Sequence, residues 1–139
     1  MFKKILIAND GSEGAARALS AAIKLAKEQE AELHMISVEE MPRFPASVDE
    51  IIEEKAEANH VYEAVASRAL AQAQASGVKL IPHIAVGHPV SSIAEFIAQE
   101  GFGLLVIGYM GHTALYNRII GSTTDRLVEH APCNVLVVK

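Results

Sequence analysis

Cysteine is nearly absent from the chain, basic residues are in the minority, and no apolar run is long. The single cysteine, Cys133, excludes an internal disulfide and suits a reducing compartment. Lys and Arg number 12 against 17 Asp and Glu, a formal net charge of -5. That balance speaks against a general nucleic-acid or anionic-membrane surface, both of which need clustered basic side chains. The apolar stretches fall well short of a membrane span. Near the start, Lys3 and Lys4 precede a short apolar run that meets Asn9 and Asp10, too short for a secretory core. The sequence therefore reads as cytoplasmic, with neither nucleic acid nor membrane as partner.

Apolar residues make up 50% of the 139 and charged ones 21%, without low-complexity tracts. That is the composition and size of one globular domain, here 1–139, with a single proper core. Ile5-Leu6-Ile7-Ala8 is a run without alternation, the pattern of a strand covered on both faces. Asp10-Gly11-Ser12 punctuates it, and Ser12 suits a helix N-cap. Ala15, Ala18, Leu19, Ala22, Ile23 and Ala26 then recur at helical spacing through about Glu28. "ELHMISV" (32–38) is a second strand. "EEMPRFPA" is a loop, since its prolines forbid a helix interior or a central strand.

Ser47 to Glu50 is a capping box. The helix it opens carries Ile51, Ala58, Tyr62, Val65 and Ala69 on one stripe and stops at Gly77. Some thirty residues make a helix of about 45 Å, roughly twice a typical strand, so its acidic first half projects beyond the sheet or bends. "VKLIPHIAV" (78–86) is the third strand. Pro89 starts the next helix, with Val90, Ile93, Ala94 and Ile97 inward. "GLLVIG" is the fourth strand, a helix runs from Ser122 to about His130, and "NVLVV" is the fifth strand.

Strand and helix alternate throughout. The pattern predicts an α/β fold, a doubly wound five-stranded parallel sheet of order 3-2-1-4-5 with helices on both faces. Ligands of such sheets bind beyond the carboxyl ends of the strands where the order reverses, here between strands 1 and 4. The segments leaving those strands are "NDGS" and "GYMG". Gly108 and Gly111 let the backbone turn and approach a ligand closely. Gly121-Ser122 stands just before a helix, whose unpaired N–H groups favour phosphate. Ser122, Thr123 and Thr124 add hydroxyl donors. The alternative is that these glycines only close turns. Lysine is missing after the last glycine, so this is not a Walker A loop. Charge compensation falls to a divalent metal, the helix terminus or Arg118.

Gly108-x-x-Gly111, nine residues, then Gly121-Ser122 resembles the nucleotide-binding signature of the universal stress proteins, in their ATP-binding branch. "ILIANDGSEGAARAL" is similar to that family's first strand and turn, and "GSTTDRLVEHAPCNVLVVK" to its closing helix and strand. The resemblance covers the whole chain in order. It implies ribose contact at Asp10, with Ala8 and Asn9 in the same segment, and adenine read by main chain near Val38. It implies phosphates held by Gly108, Met110, Gly111, Gly121, Ser122 and Thr123; beside these, His112 follows Gly111 within reach of a phosphate and Thr124 adds a donor. The ligand so implied is ATP or a related adenine nucleotide, with Mg²⁺ or Mn²⁺ bound through its phosphates. A homodimer through strand 134–138, a further protein partner and a regulatory role in stress response complete the implied picture. Three positions depart from the family pattern: Asn9, Gly103, and Asn134 in place of the usual proline. None touches the phosphate loop.

Other readings fare less well. His83 and His88 lie five apart across a strand end, poor geometry for a shared metal, and no metal site is expected. Cys133, after Pro132, suits packing better than nucleophilic attack. No carboxylate-base pair or lysine sits in the loop, so catalytic residues are not expected, with slow ATP hydrolysis or phosphotransfer as the alternative function. A phospho-accepting receiver would need an acidic pair after strand 1, an Asp after strand 3 and a Lys after strand 5. The chain offers Asn9-Asp10, "PHIAVG" and a terminal Lys139.

Overall fold

The computed structural model describes residues 1–40, 48–109 and 123–139, with the side chains of 48–59 outside that description. Its elements run β1 (Lys4–Ala8), α1 (Glu13–Gln29), β2 (Glu32–Glu39), α2 (Val48–Ala75), β3 (Leu80–Val86), α3 (Pro89–Glu100), β4 (Leu104–Gly108), α4 (Thr123–His130) and β5 (Asn134–Val138). The strands form one sheet in the order β3-β2-β1-β4-β5. Every pairing is parallel, from Lys4 opposite Glu32 to Gly108 opposite Val138. This is the doubly wound sheet that the alternation of elements predicts.

Successive strand residues feed opposite faces, which is why β1 and β4 carry unbroken apolar runs, Ile5–Ala8 and Leu104–Ile107. Ile5, Ile7, Leu33, Met35, Leu104 and Val106 pack with Ala18, Ala22 and Ile23 of α1 and Val65, Ala69 and Ala73 of α2. Leu6, Ile36, Leu105 and Ile107 pack the other way, with Ile93 and Ile97 of α3 and Leu127 of α4. Each of the Leu, Ile, Val and Met side chains, fully buried, contributes about 1.5–3 kcal/mol. Small residues on α1 (Ala15, Ala18, Ala22, Ala26) let that helix lie close to the sheet. Ser12 caps it as its sequence suggests, its Oγ accepting the Ala15 N–H at 3.2 Å. Glu30 ends it in the left-handed region, φ 53°, donating its N–H to the last carbonyls.

The described inward residues of α2 are Val65, Ala66, Ala69 and Ala73, all in its second half. Ser47 of the expected capping box, and the side chains of Ile51 and Ala58 on the expected stripe, lie outside the described residues. The third strand begins at Leu80, two residues later than its apolar run suggests. Val78 is used to finish the helix before it: its N–H reaches back to the Ala73 carbonyl at 2.9 Å, around Gly77 at φ 75°. No described helix is long and apolar enough to cross a membrane.

Candidate functional site

The order of the sheet reverses between β1 and β4, and the carboxyl ends of these strands stand side by side there. After β1 the chain turns through Asn9, Asp10 and Gly11 into α1. Asn9 is buried, its Nδ2 directed at the Met35 Sδ at 3.4 Å. Its Oδ1 accepts the Gly11 N–H at 2.9 Å, and its carbonyl accepts the Ser37 hydroxyl at 2.7 Å. Asp10 follows with Oδ1 accepting the Ser12 N–H at 3.0 Å. Gly11 takes φ 83°, a value that glycine adopts without strain. Ala8 is half-buried against the α3 and α4 side of the core. Of the residues expected at the site in this segment, Asp10 lies at the turn, while the Asn9 side chain points inward and holds the turn's shape.

Val38 sits near the end of the neighbouring strand β2, opposite Ala85 of β3. In a parallel ladder the N–H and C=O of one residue face the same neighbour, and those of the next residue face the other. The Ile36 carbonyl accepts the Asn9 N–H at 2.9 Å, so Ile36 faces β1. The Glu39 carbonyl accepts the Gly87 N–H at 2.9 Å, so Glu39 faces the β3 side. The main-chain groups of Val38 accordingly face β1, whose pairing with β2 ends at Ala8 opposite Ile36. They open on the space beyond the end of β1, beside the Asp10 turn.

Gly108 ends β4 on the other side of β1. A Cβ there would lie 2.6 Å from the Gly14 carbonyl carbon and oxygen, in the first turn of α1. Helix packing therefore demands glycine at 108, whatever a ligand requires. Thr124, in the first turn of α4, donates its hydroxyl to the Gly108 carbonyl at 2.8 Å. That bond ties the start of α4 to the end of β4, and commits a hydroxyl that the sequence offers to a phosphate. Thr123 opens the helix and is exposed. The other expected phosphate residues, Met110, Gly111, His112, Gly121 and Ser122, lie outside the described residues, as does Arg118.

Two residues not foreseen as part of this corner line it. Glu39 is buried, 5% exposed, and its Oε2 has no hydrogen-bond partner among the described residues. Tyr62 of α2 has its phenol pushed up, first by burial and then by the negative charges of Asp10, Glu40 and Glu39. A glutamate closing the run Met35-Ile36-Ser37-Val38 was the available signal for the first. Among the described residues no group of three or more His, Cys, Asp or Glu stands where it could hold a metal ion.

A second polar cluster lies on the α3 side of β2 and β3. His34 Nε2 contacts Glu32 Oε1 at 2.6 Å, and His34 Nδ1 contacts His83 Nε2 at 2.8 Å. The two rings are parallel within 3° with centroids 5.1 Å apart. With so short a nitrogen contact, they meet end to end rather than face to face. Phe102 packs edge-on to His34, and Phe96 to His83. His83 thus pairs with His34 and not with His88, which stands at the N-cap of α3. Only the register of β2 on β3 reveals that pairing.

With this geometry in hand, comparison with known proteins is specific. The model of the universal stress protein family matches residues 1–139. The universal stress protein YxiE of Bacillus subtilis is 33% identical over 152 residues, covering 100% of both chains. Among solved structures, UspA of Lactobacillus plantarum superposes with a TM-score of 0.86 at 29% identity, over 99% of this chain and 97% of that one. A universal stress protein in complex with cAMP superposes at 0.80 with 23% identity, over 99% and 97%.

Proposed function

The chain belongs to the universal stress protein family, and on that premise we propose that it binds ATP or a related adenine nucleotide and acts as a ligand-modulated regulator. The observation that carries this reading is the corner formed by Val38 and Asp10 at the point where the sheet order reverses. Val38 presents a main-chain donor and acceptor facing the same way, suited to the edge of a base. Asp10 presents a carboxylate one strand over, suited to ribose hydroxyls. The start of α4 is the third part, where the positive end of the helix favours phosphate. A neighbour of the same fold was solved in complex with cAMP, so the fold accommodates an adenine nucleotide.

In this reading Mg²⁺ or Mn²⁺ rides on the phosphates, because the described residues bring together no ligand set of their own. The segment 108–122 contains neither lysine nor a carboxylate to serve as a base, so rapid turnover is not part of the proposal. Turnover at about 1 s⁻¹ or faster, within the usual enzyme range, would move the protein to the hydrolase class. The regulator acts as a homodimer through β5, the outer strand of the sheet, and as a cytoplasmic protein whose nucleotide state alters what it contacts.

Calorimetric titration of ligand-free protein with ATP and Mg²⁺ tests the binding. One nucleotide per chain is expected. A hundredfold excess of ligand over Kd should add about 2.7 kcal/mol of stability, read as a raised melting temperature. Gly121→Val should weaken binding by about a hundredfold while the circular dichroism spectrum stays unchanged, since a β-branched side chain would occupy the space that phosphates need. A flat trace with correctly folded parent protein would overturn the reading.

A further inference from the structure

We infer that Asn9 and Ser37 are positioning residues for base recognition: together they divert the two groups that would otherwise pair with Val38, and so free its main chain for the edge of a 6-aminopurine. This inference rests on the nucleotide reading above. In a parallel ladder a residue bonds the two residues that flank its partner. Ile36, opposite Ala8, follows that rule by accepting the Asn9 N–H. Two residues further on, Val38 would stand opposite Asp10. Its N–H would donate to the Asn9 carbonyl, and its C=O would accept the Gly11 N–H.

Both of those groups are engaged elsewhere. The Asn9 carbonyl accepts the Ser37 Oγ at 2.7 Å in a buried bond. The Gly11 N–H donates to Asn9 Oδ1 at 2.9 Å. The Asn9 amide nitrogen is in turn anchored on Met35, so the side chain cannot swing away without losing a buried contact. The ladder therefore stops one rung early. At the carboxyl end of β2 there remain a C=O and an N–H of one residue, pointing the same way. Adenine complements them, with its exocyclic amine donating to the C=O and its N1 accepting from the N–H. Hypoxanthine carries the reverse pattern, an acceptor at O6 and a donor at N1, and meets like groups on both bonds.

The test has two arms. In the ligand-free protein, hydrogen exchange followed by NMR should find the Val38 amide exchanging at least about tenfold faster than those of Ile36 and Glu39, which lie within the ladder. A Val38 amide as protected as theirs overturns the inference whether or not nucleotide binds. In the binding arm, the parent should prefer ATP over ITP by about tenfold or more, the discrimination expected when buried polar groups are mismatched. Ser37→Ala releases the Asn9 carbonyl to Val38, and should bring the ATP and ITP affinities within about threefold of each other. Ser37→Thr, which keeps the hydroxyl, should retain the preference. Inorganic tripolyphosphate, a probe of the phosphate end alone, should bind parent and Ser37→Ala equally. A parent that binds ATP and ITP alike, or a folded Ser37→Ala protein with the parent's preference, overturns the role of these residues. A parent that binds no nucleotide at all overturns the functional reading itself.

Discussion

Gly14 and Gly108 touch through their backbones, and that contact fixes what residue 108 is allowed to be. The atoms that a Cβ would strike at 2.6 Å are main-chain atoms of α1, which cannot rotate aside. Gly108→Ala is expected to destabilise the protein by about 1–3 kcal/mol, the usual range for overpacking, read from the urea midpoint. An unchanged midpoint would mean that α1 sits further from β4. Read as sequence, Gly108 carries only the first glycine of a spaced signature, because α1 lies almost a hundred residues earlier in the chain. That Asp10 and Val38 stand at strand ends beside the reversal of the sheet order was legible from the apolar runs and their punctuation. The inward turn of Asn9 was not. An asparagine in a strand-to-helix turn reads the same whether its amide meets solvent, ligand or a buried methionine. Only the side of β2 on which Met35 and Ser37 lie decides among these.

Among the elements, β2 and β3 carry a histidine pair that responds to pH. Burial, and then the neighbouring His34, push His83 below the ordinary histidine range. A hydrogen bond to His34 holds the Glu32 carboxyl below its own. Lys4 and Glu100 also act on His83, and Lys4 and Lys79 on Glu32. A histidine lowered in the folded state favours folding most when neutral. Its contribution is present in full above the ordinary value of about 6.5 and is lost as the pH falls through the lowered one. The contribution of Glu32 is likewise present above about 4.3 and lost below it, so both act in the same direction. The melting temperature should therefore decline as the pH is taken from 7 to 4.5. His83→Gln, which keeps an N–H for His34 and does not titrate, should decline less over the same range. Parallel profiles would remove His83 from the account. The strands themselves were legible from apolar runs bounded by turns. Their ends were less so, as Val78 illustrates: an apolar residue after a helix-ending glycine serves the helix or the strand equally well by composition, and a hydrogen bond to Ala73 settles it.

At the scale of the molecule, the alternation of strand and helix was enough to give a parallel, doubly wound sheet with right-handed crossovers, and the order 3-2-1-4-5 expected with it is the one observed. The order makes β5 an edge, with Leu136 40% exposed on it. An apolar edge strand tends to find a partner. Light scattering at tens of micromolar, about the level at which weak dimers dissociate, is expected to give twice the chain mass of 14.9 kDa. Leu136→Lys should shift it toward the monomer without loss of helical signal. A monomeric parent would count against the dimer. The bond from Thr124 to Gly108 joins positions 16 apart, and it has a consequence for how the sequence can change length. Gly108 and Thr124 are pinned to each other, so residues added between 110 and 122 lengthen a ring that this bond already closes. Loop-closure entropy grows only logarithmically, about 0.6 kcal/mol for each doubling. A few inserted glycines and serines should thus scarcely move the melting temperature, even where they abolish binding. Here the sheet tolerates insertion, and only the ligand counts residues.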